Sequence, residues 1–542
     1  MKMKNIATSN SIEEIIANNQ IYVDKTHILF DLISNHERVF FSRPRRFGKS
    51  LTLNTIATLF EQGVDPVFKD TWIANHWTDR TYPVLNLSFL KFSVDSVKEY
   101  KRAFNNTISD FAKKLNLSDY VEDPEPNQSI QHLLDSLGDS QEIVIVIDEY
   151  DCQLTANINN EELYEEFRKC LRSFFANLKD EEKIRFLIVS GVTRLKDVSI
   201  FSVGSDIEDM TYSHLIANLT GFTKEEIKHY YHDYLILAAS YLNKVNQNDV
   251  TDRMIDDTLE RLAYEYNGYC FDEFYQDKVF STWSVNCFFK ALIDNKTARF
   301  GDYWYDNGGV PTILGNYLST HSLTDIEKYV EDAVIDANYL EFKNPISLLT
   351  INQTVLMCQT GYLTLASEYQ SNVKLKLSIP NNEVRRALCS LLCFKFLNKQ
   401  TALDIFEKKA LETGFVGQIV DVLNSILSFN DYSKNIYTSE DSIKALLVSF
   451  FIGARVGVSF EKHQIKGRSD IIIELDTRRI VIELKYVNSK AQEDQKLIEA
   501  IEQIKSRDYG NYYPKKELIR IAAVFNGADD VRAISVYEAV NP

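Results

Sequence analysis

The sequence predicts an α/β protein in which an N-terminal parallel sheet is followed by helical segments and a second α/β domain. Three observations predict this fold class. A short apolar strand runs into Gly48-Lys49-Ser50 and then into a helical pattern. A continuous apolar run at residues 143–147 ends in two acidic residues, and two β-branched runs, 471–473 and 480–482, follow one another near the C-terminus. Continuous apolar runs are typical of strands buried within a sheet.

Length, composition and charge limit the class of protein. The chain has 542 residues, 45% hydrophobic and 25% charged, which is typical of folded, multidomain proteins. No apolar run approaches a membrane span, and residues 1–20 are too polar for a signal peptide, so we expect no membrane partner. Seven cysteines without a CxxC pair favour a reducing, cytoplasmic location.

The net charge of −17 argues against a surface that coats nucleic acid nonspecifically. A nucleic-acid partner would therefore need a local basic groove. Two clusters are candidates for it: Arg43, Arg45, Arg46 and Lys49 near the start of the chain, and Lys462, His463, Lys466 and Arg468 near its end.

The first motif is a phosphate-binding loop. A strand at residues 38–42 is joined to a helical pattern at 51–60 by the segment Arg43-Pro44-Arg45-Arg46-Phe47-Gly48-Lys49-Ser50. In this P-loop order, backbone amides at the helix start would hold the phosphates of ATP. Lys49 would reach the β and γ phosphates, and the Ser50 hydroxyl would bind Mg²⁺. Arg43 replaces the first glycine of the usual pattern.

The strand at residues 143–147 supplies the acidic partners of this loop. Asp148 would hold the Mg²⁺, and Glu149 would polarise the water that attacks the γ-phosphate. The alternative is that both acids merely end a strand and cap a turn. The upstream Gly-Lys-Ser favours the catalytic interpretation.

A further strand, at residues 184–189, would lie between the P-loop strand and the acidic strand. Ser190 or Thr193 at its end could sense the γ-phosphate, and Arg194 could contact phosphate. A serine or threonine after a strand is more often a simple turn residue. Strands at 82–88 and 214–220 would complete a five-stranded sheet.

The C-terminal motif combines Asp470 with Glu483 and Lys485. Asp470 and Glu483 could share a divalent cation, and Lys485, on the same strand face as Glu483, could orient an attacking water. Glu-x-Lys occurs elsewhere in this chain in helical contexts, where a solvated charged face explains it. Only here does it follow a buried strand, where charge is costly unless it is paired or binds a metal. The alternative is an ordinary edge-strand ion pair.

Six ordered motifs resemble a bacterial family that joins an AAA-ATPase-like domain to a PD-(D/E)XK nuclease-superfamily domain. They are Tyr22-Val23-Asp24-Lys25-Thr26, the loop 43–50, Ile147-Asp148-Glu149-Tyr150-Asp151, Tyr266-Asn267-Gly268-Tyr269, Thr360-Gly361-Tyr362-Leu363-Thr364, and Gly467-Arg468-Ser469-Asp470 with Glu483-Leu484-Lys485. The resemblance covers nearly the whole chain, and in that family an arginine at the first P-loop position is normal.

The resemblance implies a restriction-endonuclease-like α-β-β-β-α-β core for the C-terminal domain. Its elements are expected at residues 439–453, 456–461, 470–475, 479–484, 492–507 and 519–525. It also implies that Glu440 on the first helix is a distal metal ligand and that Gln503, followed by Tyr509, supports the active site. For Glu440 the alternative is a carboxylate stabilised by the helix dipole.

These interpretations divide the chain into five parts: an N-terminal segment 1–20, an ATPase-like domain 21–221, a helical lid 222–290, a mainly helical connecting region 291–430 and a nuclease-like domain 431–542. The expected function is ATP binding and hydrolysis that controls Mg²⁺-dependent cleavage of nucleic acid, with DNA as the expected substrate. The alternative is a nucleotide-dependent switch or a nucleic-acid-binding protein with a non-catalytic nuclease fold. The sequence does not decide the oligomeric state, and a homo-oligomer is possible.

Overall fold

The computed structural model describes residues 3–179, 181–195, 206–306, 312–320, 334–367, 374–397, 400–428, 439–464, 467–507, 509–512 and 514–540. The chain forms two units, one of Met1–Ser322 with Val334–Glu383 and the other containing Val384–Pro542. The division between Glu383 and Val384 falls inside the connecting region expected at 291–430. Among the described residues, no helix is long and apolar enough to cross a membrane.

A five-stranded parallel sheet lies at the centre of the first unit. Its strands are β1 Arg38–Ser42, β2 Val84–Ser88, β3 Ile143–Asp148, β4 Ile184–Gly191 and β5 Glu208–Asp209, in the spatial order β2-β3-β4-β1-β5. Strand β4 therefore lies between β1, which leads into the P-loop, and β3, which ends in the acidic pair. This inserted strand agrees with the AAA/ASCE-like parallel sheet predicted from the sequence.

Apolar residues of the sheet and its covering helices form one core. Val144 and Val146 of β3 and Phe186 and Ile188 of β4 pack with Phe60 of the helix that follows the P-loop. Each such side chain contributes ~1.5–3 kcal/mol when it is fully buried. This packing fixes the carboxyl ends of β1, β3 and β4, where the candidate residues lie.

Helices surround the sheet and continue through the lid region. The first unit contains the α-helices Ile12–Ala17, Thr26–Asn35, Lys49–Gln62, Val97–Lys114, Pro126–Asp135, Cys152–Ala156, Glu161–Ala176, Lys224–Tyr230, His232–Asn243, Asp252–Tyr266, Thr282–Asn295, Tyr303–Asp306, Thr312–Thr320, Tyr339–Lys343 and Gln353–Gln359. The middle region also contains a small antiparallel sheet of β6 Ile335–Asn338, β7 Thr364–Leu365 and β8 Lys374–Ser378, which we did not predict.

The expected strand at residues 214–220 is wrong. This segment begins with a 3-10 turn, His214–Ile216, and the fifth strand of the sheet is instead β5, which pairs with β1 through Val39 and Phe40. The physical reason is that the carbonyl of Ile216 accepts a hydrogen bond from the Arg43 guanidinium instead of a neighbouring strand.

The second unit contains a mixed five-stranded sheet. Its strands are β9 Gly457–Gln464, β10 Gly467–Glu474, β11 Arg478–Val487, β12 Glu517–Asn526 and β13 Ala533–Ala539, in the order β13-β12-β11-β10-β9. Only β11 and β12 pair in parallel. The helices Glu440–Gly453 and Glu493–Arg507 complete the expected α-β-β-β-α-β order, to which β13 adds one strand. Helices Asn382–Leu397, Ile405–Thr413 and Val416–Leu427 precede this core.

Candidate active sites

The P-loop turns sharply into its helix at Gly48. Gly48 has φ of 89° and Arg46 has φ of 71°, both in the left-handed region. Only glycine adopts this region without cost, which explains Gly48 directly before the helix that starts at Lys49. The first amides of that helix have no partner within it, so they form a site for an anion.

Lys49 is buried and held by neutral oxygens of the loop. Its Nζ donates hydrogen bonds of 2.9 Å to the carbonyls of Arg43 and Pro44. Burial lowers the pKa of Lys49, although the Asp148 and Glu149 carboxylates act in the opposite direction. The ammonium therefore has no hydrogen-bonded counter-anion among the described residues, which favours an anionic ligand.

Ser50 and Asp148 lie together, as predicted. The Ser50 Oγ donates a 2.7 Å hydrogen bond to Asp148 Oδ2. The other oxygen, Asp148 Oδ1, is buried and accepts no hydrogen bond from any described residue. A hydroxyl beside a carboxylate that has a free oxygen is a donor set suited to Mg²⁺, so the residues fit the expected ion.

Glu149 has the properties of a general base. Its backbone φ is 54°, an unusual conformation for a glutamate. Burial, and next the neighbouring Asp148 charge, raise the pKa of Glu149 to about 7. A carboxylate whose pKa lies near neutrality can accept a proton from water more readily than an ordinary one.

The side chain of Arg43 is committed to the scaffold. It is buried, and its guanidinium donates to the carbonyls of Ser42, Thr211 and Ile216. The guanidinium also lies 4.4 Å from the centre of the Phe271 ring. Because these contacts occupy the side chain, only the backbone of Arg43 remains for the predicted role in binding the cofactor.

Arg46 likewise connects the loop to the lid. Its Nη1 donates to the carbonyls of Tyr303 and Trp304 at 2.8 and 2.7 Å, and the guanidinium lies 4.9 Å from the centre of the Trp283 ring. The Arg46 carbonyl in turn accepts a hydrogen bond from Thr282 Oγ1. The P-loop is thus fixed to the helix Thr282–Asn295 at its start.

Two further loop residues contact motifs from distant parts of the sequence. Phe47 is buried, with its ring 4.6 Å from that of Tyr269. Pro44 packs so closely on Gly361 that a Cβ there would lie 2.8 Å from the proline ring. The motifs around Tyr269 and Gly361 therefore support the P-loop itself.

Ser190 near the end of β4 differs in its contacts from Thr193 and Arg194, which follow the strand. The Ser190 Oγ is buried and accepts or donates no hydrogen bond among the described residues, so it remains a candidate sensor. Thr193 donates through both its amide and its hydroxyl to Asp151, and Arg194 forms an ion pair with Asp209. These contacts do not point Thr193 or Arg194 at phosphate. Arg45 is exposed.

A cavity of about 520 Å³ opens beside the P-loop. It is lined by Phe47, Gly48 and Thr52 from the loop and its helix, by Tyr22, and by residues 6–10 of the N-terminal segment, among others. This volume lies within the usual range for small-molecule sites. The space suits a nucleotide base and sugar whose phosphates reach the loop.

Asp470 and Glu483 come together on neighbouring strands of the second unit. Ile471 of β10 pairs with Ile482 of β11, so the preceding Asp470 and the following Glu483 lie at the same end of this pair. Asp470 Oδ2 accepts a 2.8 Å hydrogen bond from the backbone amide of Leu484. This contact fixes the carboxylate against β11.

Glu483 and Lys485 form the buried half of this site. Glu483 is fully buried; its Oε1 accepts a 3.0 Å hydrogen bond from Lys485 Nζ, and its Oε2 has no hydrogen-bond partner among the described residues. Burial, and next the Asp470 charge, raise the pKa of Glu483 to about 7. Burial lowers the pKa of Lys485, but the Glu483, Asp470 and Glu440 carboxylates raise it overall. A partnerless buried carboxylate oxygen fits a divalent ion.

A second lysine, Lys444, enters this site and was not predicted. Its Nζ donates to Glu440 Oε1 at 2.6 Å and to Asp470 Oδ1 at 2.7 Å. Burial lowers the pKa of Lys444, but Asp470 and Glu440 raise it overall. The available signal was a lysine four residues after Glu440 within an apolar helical run, since such a charge needs a partner.

Other predicted residues form no hydrogen bond to this cluster among the described residues, or have side chains outside the described part of the chain. Gln503 lies on the helix Glu493–Arg507, and no hydrogen bond among the described residues joins its side chain to Asp470, Glu483 or Lys485. Tyr509 is buried and its hydroxyl accepts a hydrogen bond from Arg507. Lys466 and the side chains of Lys462, His463 and Arg468 fall outside the described part of the chain.

Two family models match separate parts of this chain. A family described as predicted AAA-ATPase matches residues 6–201, and the PD-(D/E)XK nuclease superfamily matches residues 438–534. A relative from Azotobacter chroococcum mcd 1, described as an uncharacterized protein in the vnfD 5′ region, is 25% identical over 510 residues, 91% of this chain and 90% of its own. The Walker-type ATPase paby2304 of Pyrococcus abyssi is 13% identical, with a TM-score of 0.34 over 67% of this chain and 94% of its own. Residues 6–201 of this chain therefore form an AAA-ATPase-like domain by similarity to the first family, and residues 438–534 are similar to the PD-(D/E)XK nuclease superfamily.

Proposed function

We propose that this protein binds and hydrolyses ATP with Mg²⁺ and that its nucleotide state controls a metal-dependent nuclease that cleaves nucleic acid, with DNA as the substrate. One observation carries the proposal. Each unit gathers a lysine and carboxylates in a buried site, and each site contains a carboxylate oxygen with no hydrogen-bond partner among the described residues. We place the protein in the cytoplasm, and a homo-oligomer remains compatible with the proposal.

The first site supports nucleotide hydrolysis. Lys49 would balance the phosphate charge, and Ser50 with Asp148 would hold the Mg²⁺, which supplies charge neutralisation on the phosphates when bound. Glu149, with its pKa near neutrality, would take the proton of the attacking water. The cavity beside Gly48 offers space for the base and sugar.

The second site supports phosphodiester hydrolysis. Asp470 and Glu483 would hold the divalent ion, which activates water and stabilises developing charge on the phosphate when bound. Lys485 lies 3.0 Å from Glu483 and would orient the water or the phosphate. The amide of Leu484 keeps Asp470 in place.

A chain of contacts supports nucleotide control. Arg46 of the P-loop bonds to the carbonyl of Trp304, whose amide donates to buried Glu383 at 2.9 Å. Glu383 also accepts a 2.7 Å hydrogen bond from Ser284. It is the second residue of the helix Asn382–Leu397, which continues along the chain into residues of the second unit. Movement of the P-loop can thus reach this helix through two consecutive hydrogen bonds, from Arg46 to Trp304 and from Trp304 to Glu383.

The test is a nuclease assay on single- and double-stranded DNA and RNA, with Mg²⁺ and with no nucleotide, ATP or ADP. We expect wild-type protein to cut DNA and the rate to differ between nucleotides. Lys49→Ala should remove that difference, and Asp470→Ala should remove cutting without loss of ATP binding. Equal cutting in all nucleotide states would reject control while leaving the nuclease intact.

A second candidate is a nucleotide-dependent switch in which the nuclease fold only binds. The observation that favours it is the Lys444 ammonium, which occupies carboxylate oxygens that could otherwise hold metal. If wild-type protein binds DNA and ATP but cuts no substrate with Mg²⁺ or Mn²⁺, this candidate replaces the first.

A further inference from the structure

The helix Glu440–Gly453 brings a buried cation into the predicted metal site. The side chain of Lys444 is 3% exposed, and its ammonium bonds to Glu440 and Asp470 simultaneously. Asp441, at 3.9 Å, is a third and more exposed carboxylate neighbour. An ammonium held between carboxylates has the same partners that a divalent cation would seek.

We propose that the Lys444 ammonium takes the place of a second metal ion, so that the nuclease site holds one divalent ion. This inference rests on the proposed nuclease function. The ion would lie between Asp470 and Glu483, while Glu440 holds Lys444 and is a positioning residue instead of a metal ligand. This revises the role that the family resemblance implied for Glu440, that of a distal metal ligand.

The hydrogen bonds distinguish the proposed metal position beside Glu483 from the position beside Glu440, which the Lys444 ammonium occupies. On the Glu483 side, Oε2 is buried and has no hydrogen-bond partner among the described residues, so it can accept a metal. On the Glu440 side, Oε1 lies 2.6 Å from the Lys444 ammonium and 3.7 Å from that of Lys485. An oxygen flanked by two ammonium groups is a poor ligand for another cation, because the like charges repel.

The charges of the cluster lead to the same conclusion. Apart from Asp441, whose exposed charge is screened by water, three carboxylates, Glu440, Asp470 and Glu483, face two ammonium groups, Lys444 and Lys485. With all five ionised the net charge is −1, which one divalent ion converts to +1. A second ion would give +3 in a largely buried site, and such an excess of charge is strongly unfavourable.

The experiment counts Mn²⁺ ions bound to the full chain without nucleotide, by electron paramagnetic resonance of free Mn²⁺. All variants carry Asp148→Asn to remove ion binding at the P-loop. We expect about one Mn²⁺ per chain in this background and none after Asp470→Asn. Lys444→Met, which keeps the apolar stem without the charge, should bind about two, because Glu440 and the Asp470 Oδ1 become available. Lys444→Arg should return the count to about one.

Glu440→Gln provides a second test that does not depend on the folding of Lys444→Met. If Glu440 only positions Lys444, the Mn²⁺ dissociation constant should change by less than about threefold, whereas loss of a ligand would weaken it about tenfold or more. Two ions in the background protein, or strong weakening by Glu440→Gln, would overturn the inference while the metal site itself survives. Failure to bind any Mn²⁺ would overturn both the proposed nuclease and this inference.

Discussion

The P-loop site and the C-terminal site neutralise their buried cations in different ways. At the P-loop, Lys49, Arg43 and Arg46 donate mainly to backbone carbonyls, which are neutral. In the C-terminal site, Lys444 and Lys485 donate to carboxylates. Among the described residues, the first arrangement therefore gives these cations no hydrogen-bonded counter-anion, although Asp148 and Glu149 lie near Lys49, and the second leaves the charges nearly balanced.

This difference explains which ligand each site suits. A buried ammonium with only dipolar partners gains most from an added anion, such as a phosphate. A nearly balanced cluster with one partnerless carboxylate oxygen gains most from a cation. The same residue types thus favour an anion in one unit and a cation in the other, and the variants below test that contrast.

The largest expected effect is the loss of nuclease activity in Asp470→Ala. Removal of this carboxylate weakens the hold on the divalent ion and leaves Lys444 with one partner fewer. Because metal-ion catalysis supplies several kcal/mol, the rate constant for DNA cleavage should fall about 10³-fold or more. Asp476→Ala, an exposed acid between β10 and β11, is the matched control and should cut at the wild-type rate. Comparable losses in both variants would contradict the assignment.

Lys49→Ala tests the anion site and should have the next largest effect. It removes the ammonium that bonds to Arg43 and Pro44 carbonyls and would bond to phosphate. Charge-assisted hydrogen bonds contribute about 1.5–3 kcal/mol, so the ATP dissociation constant should rise about 10- to 100-fold. A titration with a fluorescent ATP analogue measures this constant. The control is Lys69→Ala at an exposed position, for which unchanged binding is expected.

Arg43→Lys tests whether the first P-loop residue is structural. Lysine cannot serve the carbonyls of Ser42, Thr211 and Ile216 together, so the free energy of unfolding should fall by about 2 kcal/mol. All four tryptophans, at positions 72, 77, 283 and 304, belong to the first unit, and their fluorescence during urea unfolding reports on it. Arg45→Lys at the exposed neighbouring position should leave the midpoint unchanged. A larger loss of ATP affinity than of stability in Arg43→Lys would instead indicate direct phosphate contact.

The sequence predicted the parts of both sites that are contiguous in the chain. The P-loop, the acidic end of β3 and the Glu-x-Lys of β11 each follow from a local pattern, because strand burial and helix start constrain neighbouring residues. The position of β4 between β1 and β3 was instead expected from the strand order of ATPases that have an extra strand, and the structure has this order.

Features that depend on distant contacts escaped prediction. The partners of Arg43 come from residues 211 and 216, so the sequence near the loop carries no sign that its side chain turns into the scaffold. The wrong prediction of a strand at residues 214–220 has the same origin. The sequence of an apolar segment does not show whether its buried carbonyl accepts a hydrogen bond from a neighbouring strand or from an arginine side chain. Lys444 was missed because its role depends on Asp470, 26 residues away.

The smallest expected effect is a dependence on pH, which should change ion binding at the C-terminal site and the rate of ATP hydrolysis at the P-loop site. The pKa of both Glu149 and Glu483 is about 7, and burial is the main cause in each. Protonated Glu483 cannot hold a cation, so protons compete with Mn²⁺ below that pKa. Between pH 8 and pH 6 the Mn²⁺ affinity of the C-terminal site should therefore fall about tenfold, and an affinity that stays constant over this range would contradict Glu483 as a ligand.

Glu149 should respond differently over the same range. It is placed to accept a proton during hydrolysis and is not among the predicted ligands of ATP or Mg²⁺. Acidification to pH 6 should thus lower the ATPase rate constant about tenfold while the ATP dissociation constant changes little. Both quantities, the Mn²⁺ affinity of the C-terminal site and the ATPase rate constant, should be measured on one preparation across this pH range. The first reports on Glu483 as a residue that binds an ion, and the second reports on Glu149 as a residue that moves a proton. If acidification weakened ATP binding as strongly as Mn²⁺ binding, Glu149 would be one of the residues that bind ATP or its Mg²⁺. The two sites would then differ only in the hydrogen-bond partners of their lysines.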